Sequence, residues 1–134
     1  MTTIGLKRTL PRSFDDTLAA LPAALKSEGF GVLTEIDVKD TLKKKIDVDF
    51  RRYRIFGACN PQLAHRALST DLDLGVMLPC NVVVYEQSPQ ATVVIAVDPQ
   101  QTVAATHGSE TKALAEEVGV RLGRVLDTLE RDGK

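Results

Sequence analysis

Over the first ten positions apolar and polar side chains alternate. Ile4, Leu6 and Leu10 fall on one side and Thr3, Gly5, Lys7 and Thr9 on the other, so residues 3–10 predict a half-buried strand. After Pro11 the period changes. Phe14, Leu18, Leu21 and Leu25 recur at spacings of four, three and four, which is one stripe of an α-helix. Ser13 is placed to cap it, Asp15 and Asp16 suit the positive end of the helix dipole, and Gly29 is placed to stop it. Pro22 lacks a backbone donor in mid-pattern and predicts either a kink or a restart with Pro22 in a new first turn.

Phe30 to Ile36 reads as a second strand. Asp37 then caps a short helix over 38–45, with Asp40 three positions on as in a capping box and Lys43, Lys44 and Lys45 at its negative end. Residues 50–58 predict a third strand and 61–70 a short helix. Two Val-rich strands, 81–87 and 91–97, are joined as a hairpin by Gln87-Ser88-Pro89-Gln90. The second arm is apolar on both faces, which calls for cover on both sides of the sheet. Residues 98–108, with a Pro, a Gly and small polar residues, read as a mobile loop. From Ser109 to Arg131, the positions Leu114, Val118, Leu122, Val125, Leu126 and Leu129 make a long amphipathic helix that should pack across the sheet. The expected class is α+β, one domain over 1–134, with a mixed or mainly antiparallel sheet of about five strands and helices on one face. The other face is then available for self-association.

Composition narrows the function classes. The 134 residues suit one domain with one core, and 43% hydrophobic with 26% charged residues is ordinary for a globular chain. Seventeen basic against 18 acidic residues give a net charge of -1, which offers no general attraction to nucleic acid or to an anionic bilayer. No apolar run is long enough to span a membrane, and the opening Met1-Thr2-Thr3-Ile4-Gly5 lacks a secretory signal, so a cytoplasmic location is expected. In a reducing compartment the two cysteines are thiols rather than a bridge.

Those thiols sit in a repeated dipeptide, Cys59-Asn60 and Cys80-Asn81. In Gly57-Ala58-Cys59-Asn60-Pro61, Asn60 and Pro61 form a helix start, cap then first residue, which places Cys59 at a helix N-terminus where a thiolate is favoured. The alternative is that Cys59 is a small apolar core residue. Cys80 follows Pro79 at the start of the hairpin and could resolve or co-ligate with Cys59 if the two meet. Asn60 and Asn81 could position a small polar ligand. His65 lies near enough on the short helix to complete a soft-metal set, but no Cys-x-x-Cys spacing supports one, so no metal and no cofactor are expected. Glu35 and Asp37 share a strand face and could reach one substrate, although capping accounts for Asp37. Asp71-Leu72-Asp73-Leu74-Gly75 lacks the ligands of a calcium loop and reads as a turn. Gly108-Ser109 with His107 does not make a nucleophile elbow. Arg51, Arg52 and Arg54 follow the three lysines, but Asp47 and Asp49 lie between the two groups and only Phe50, Tyr53 and Phe56 offer stacking, which makes a poor nucleic-acid strip.

Gly29-Phe30-Gly31-Val32-Leu33-Thr34-Glu35-Ile36-Asp37-Val38, Thr41-Leu42-Lys43-Lys44-Lys45, Gly57-Ala58-Cys59-Asn60-Pro61 and Leu78-Pro79-Cys80-Asn81-Val82 together resemble the signature blocks of the "domain of unknown function 302" family. The resemblance covers nearly the whole chain, and Pro22 is the one departure. It implies a small prokaryotic α+β domain, related in topology to half of a TATA-binding protein, that tends to form a homodimer, and it implies no reaction. Two readings follow. The first is a thiol-containing binding or redox module using Cys59 and possibly Cys80. The second is a non-enzymatic homodimeric ligand-binding or assembly domain; whether the chain is an enzyme stays open at this point.

Overall fold

A computed structural model of the chain describes residues 4–132. Among them the strands are β1 (Leu6–Leu10), β2 (Gly31–Asp37), β3 (Tyr53–Cys59), β4 (Cys80–Ser88) and β5 (Ala91–Ala96). The α-helices are α1 (Phe14–Lys26), α2 (Val38–Ile46), α3 (Pro61–Thr70) and α4 (Ser109–Asp132). The strands form one sheet in the order β1-β5-β4-β3-β2, antiparallel at every junction. The α+β class is as expected, and the sheet is wholly antiparallel. Helices α2 and α3 are excursions between antiparallel neighbours, not parallel crossovers. Only the β1-α1-β2 passage crosses from one edge of the sheet to the other.

Local chemistry explains the starts of α1, α2 and α3. The Ser13 hydroxyl accepts from the Asp16 N–H, the Asp37 carboxylate from Asp40 and the Asn60 side-chain oxygen from Leu63. Helix α1 runs unbroken through Pro22, which is exposed, so the expected restart does not occur. A proline on the outer face forfeits one solvent-side hydrogen bond, and burial of Phe14, Leu21 and Leu25 on the inner face holds the helix together. The predicted first strand begins later than its pattern suggested, at Leu6; Thr3 lies outside the described residues. Gly5 ends the alternation with a positive φ of 72°, and a Cβ there would crowd the Ala96 carbonyl oxygen, so Gly5 permits the close approach of the chain before β1 to the end of β5.

The register separates the two sheet faces. Leu10, Phe56, Ala58, Val82, Val84, Val94 and Ala96 face α1 and α4, where Leu122, Val125, Leu126 and Leu129 complete one core. Each fully buried side chain of this size contributes about 1.5–3 kcal/mol. On the opposite face Ile36, Ile55, Val83 and Ile95 stand side by side across four strands, beside the stacked rings of Tyr53 and Tyr85. Ile36 is 49% exposed and the other three are half-buried, so the second face of the apolar strand β5 is covered only in part. Residues 98–108, expected as a loop, carry two short 3-10 turns, Pro99–Gln101 and Val103–Thr106, capped by Asp98 and Thr102.

Candidate functional site

The sheet ends where β3 and β4 deliver Ala58, Cys59 and Cys80 to the same place, and the chain builds a roof over that end. Ala58 pairs directly with Cys80, and Cys59 is the next residue along. Asn60 starts α3, which brings Leu63, Ala64 and Ala67 over the strand ends. The 3-10 turn Leu72–Met77, capped by the Asp71 carboxylate on the Asp73 N–H, returns the chain with Leu74, Met77 and Leu78 facing inward. The first half of α4 closes the remaining side with Thr111, Leu114, Ala115 and Val118. These elements line a cavity of about 90 Å³ that is partly open to solvent. No Lys, Arg, His, Asp or Glu side chain lines it among the described residues, so its interior is apolar apart from the thiols, Asn60 and two threonines.

Polar contacts clamp the rim. His107 Nε2 and Asp71 Oδ2 are 2.6 Å apart, and Arg66 Nη1 meets Glu117 Oε1 at 3.2 Å. The Thr70 hydroxyl reaches Glu110 at 3.4 Å. Together they tie α3 and the turn after it to the start of α4. The hydrogen bond from His107, assisted by the Asp73 N–H, holds the Asp71 carboxyl below its ordinary range. At Glu117 the bonds from Arg66 and Arg121 lower the carboxyl in the same way.

The two thiols meet here, which the sequence left open. Both are free and half-buried, and both line the cavity. Burial pushes the Cys80 thiol up to about 11, and the neighbouring Cys59 adds to the rise because two thiolates would repel. Cys80 is therefore a protonated thiol at neutral pH. Asn60 is buried and both ends of its amide are engaged: its oxygen caps α3 and its Nδ2 donates to the Glu28 carbonyl oxygen at 3.3 Å. Arg121 donates to the same carbonyl oxygen at 3.2 Å, so Asn60 joins the end of α1 to the start of α3. Gly29, at φ 85°, leaves room for that amide; a Cβ there would lie 2.7 Å from its nitrogen.

The remaining candidates are dispersed. Asn81 is exposed and opposes Gly57 on the open sheet face, away from the cavity wall. His65 is exposed on α3 and does not line the cavity. No group of three potential metal ligands occurs among the described residues. Glu35 lies in a separate shallow groove between α1 and β2, where Arg54 pairs with both Glu35 and Asp37. The two carboxylates thus share one cation. Of the three arginines near this edge, Arg52 pairs with Asp15 and Glu86 and Arg54 with Glu35 and Asp37, while Arg51 donates to the Glu86 carbonyl oxygen at 3.4 Å.

Sequence reasoning missed Thr111. It lies 3, 4, 7 and 11 residues before Leu114, Ala115, Val118 and Leu122, so a hydroxyl on the apolar stripe of α4 was the available signal.

A family model described as "Domain of unknown function DUF302" matches residues 6–129. Among solved structures, the chain is similar to an uncharacterized conserved DUF302 protein from Bacillus stearothermophilus, at 32% identity and a TM-score of 0.84. That match covers 94% of this chain and 98% of the other. No curated protein matches the chain.

Proposed function

The chain belongs to the DUF302 family, which supplies a fold but no reaction, and we propose that it is a binding domain for a small uncharged molecule held in the thiol-lined cavity. The observation that carries this reading is the apolar pocket at the end of the sheet, partly open to solvent and roofed by α3, the 72–77 turn and α4. An engineered apolar cavity of about 150 Å³ takes benzene, so this one suits a ligand of about four or five non-hydrogen atoms. A small polar ligand was expected from the Cys-Asn dipeptides. The cavity wall favours a mainly apolar one, because charge or several polar groups would lie there uncompensated.

Binding is favoured over thiol redox chemistry by the state of Cys80. A resolving thiol must attack as a thiolate, and a group pushed up to about 11 supplies almost none near neutral pH. The thiols then act as soft, weakly polar wall. The test is titration of the isotope-labelled protein with 1-butanol, followed by amide NMR. Saturable shifts should concentrate in α3, residues 72–78 and the first half of α4, and Ala64→Leu, which fills the space, should abolish them. Shifts that are absent, or spread evenly over the surface, would overturn the reading.

A specific observation also favours assembly with a second copy. Of the ten exposed large hydrophobic residues among those described, six fall between positions 32 and 50: Val32, Leu33, Ile36, Ile46, Val48 and Phe50. They surround β2, an edge strand of seven residues whose outer backbone groups have no neighbour strand in the sheet. The acidic side chains of β2 are neutralised by Arg54 on the same chain, so they do not blunt that edge as unpaired charges would. A twofold axis beside β2 would pair it antiparallel with its own copy and bury both apolar clusters. Sedimentation should give a dimer at micromolar concentration and a monomer for Leu33→Asp. A wild-type chain that stays monomeric at 100-fold higher concentration would remove this reading.

A further inference from the structure

Resting on the cavity reading above, we infer that the ligand is a short aliphatic molecule with one neutral oxygen, an alcohol or a simple carbonyl compound, whose oxygen bonds to the Thr111 hydroxyl. Thr111 is 3% exposed and lines the cavity. Its Oγ1 is buried with no hydrogen-bond partner among the described residues. That state is unusual within this chain. Of the other helical threonines, Thr17, Thr41 and Thr70 each donate to the carbonyl oxygen four residues back, at 2.8, 2.8 and 3.0 Å, and the Thr128 hydroxyl oxygen accepts from Arg131 at 3.4 Å. For Thr17 and Thr41 the carbonyl four residues back belongs to the N-cap residue, whose C=O points into the helix, whereas for Thr111 it belongs to His107, one residue before the Gly108 carbonyl that accepts the first helical bond of α4.

A buried hydroxyl without a partner is costly, and native proteins tolerate one mainly where something else completes it. Apart from the two thiols, which are weak donors and acceptors, the other polar side chains of the wall are already engaged. Asn60 is spent on Leu63 and Glu28, and the Thr102 hydroxyl donates to the Pro99 carbonyl oxygen while accepting from the Ala104 N–H. One open hydrogen-bonding position in an apolar space specifies one polar atom on the ligand. The absence of any charged side chain from the wall makes that atom neutral, because a carboxylate or ammonium would be buried without a counter-charge. A hydroxyl both donates and accepts, so the position takes an alcohol or a carbonyl oxygen.

Two probes of equal size separate this inference from the reading on which it rests: 1-butanol and n-pentane, each with five non-hydrogen atoms. Both are titrated by NMR into wild type, Thr111→Val and Thr111→Ser. Wild type should prefer 1-butanol, Thr111→Val should weaken 1-butanol by about tenfold with n-pentane unchanged or tighter, and Thr111→Ser should keep the alcohol preference. Removal of an unpaired hydroxyl should leave the thermal midpoint of Thr111→Val at or above wild type, which confirms that it folds. Binding of both probes with affinities indifferent to Thr111→Val overturns the inference and leaves the cavity reading standing. Binding of neither probe to wild type overturns both.

Discussion

The raised Cys80 pKa predicts a thiol nearly inert towards alkylation in the native state and reactive on unfolding. Burial, with a smaller contribution from Cys59, lifts it from 9.0 to about 11. At pH 8 a thiol of pKa 9.0 is about 9% ionised and one of pKa 11 about 0.1%, so the thiolate available to iodoacetamide falls about 100-fold before any steric protection. In a Cys59→Ser variant, which isolates Cys80, keeps its burial and removes only the smaller contribution of Cys59, alkylation at pH 8 should be slower in buffer than in urea by a factor approaching ~100. Mass spectrometry of timed, quenched samples measures both rates. The same rise makes a stability claim. A thiol whose pKa is higher folded than unfolded contributes in full below pH 9, and that contribution is lost as pH rises towards 11, about 2–3 kcal/mol in all. The urea midpoint of the Cys59→Ser variant should therefore fall more between pH 9 and 11 than that of a Cys59→Ser/Cys80→Ala variant. A native alkylation rate within tenfold of the unfolded rate, or equal pH slopes for the two variants, would refute the assignment of Cys80 as a buried neutral thiol.

Asn60→Ala removes the cap of α3 and the bond to the Glu28 carbonyl oxygen together, and thermal unfolding should report a loss of about 2–3 kcal/mol. Gly57→Ala should cost about 1–3 kcal/mol, because a Cβ there would collide with Thr34 Oγ1 and sit 2.7 Å from Pro79 Cγ; a neutral result would mean that the strand has room to move. Asp71, with its pKa lowered by His107, adds stability that is present above the ordinary carboxylate range and lost as pH falls through the lowered value. Hydrogen-exchange protection factors in residues 98–108, which correct for the slower intrinsic exchange in acid, should accordingly fall on acidification in wild type and depend less on acid in Asp71→Asn.

What was legible in the sequence follows from how far each signal reaches along the chain. Ser13, Asp37 and Asn60 act on amides three residues away, so their caps, and the helices they start, could be read locally. The stripes of α1 and α4 were legible for the same reason, since a helical face repeats within four residues. Whether the helix would restart at Pro22 was not legible, because the effect of a proline depends on which face of the helix it occupies, and that depends on the sheet beneath. The meeting of Cys59 with Cys80 was not legible at all: it depends on α3 and the 72–77 turn returning the chain antiparallel, a contact across 21 positions with no periodicity to announce it.

The dipeptide repeat shows how similar local chemistry separates in three dimensions. Cys59-Asn60 and Cys80-Asn81 read alike, but Asn60 bridges two helix ends while Asn81 opposes Gly57 on the open face. Side chains alternate along a strand, so a residue and its successor on β4 must part company, and Cys80 goes to the cavity wall while Asn81 does not. The pair of thiols gains its meaning from the roof above it. The residue in that roof with an unfilled chemical valence is Thr111, a threonine on an apolar stripe that composition and spacing make look like core. A polar atom set among apolar neighbours, with its usual helical partner removed by the turn before it, marks the site more sharply than either cysteine.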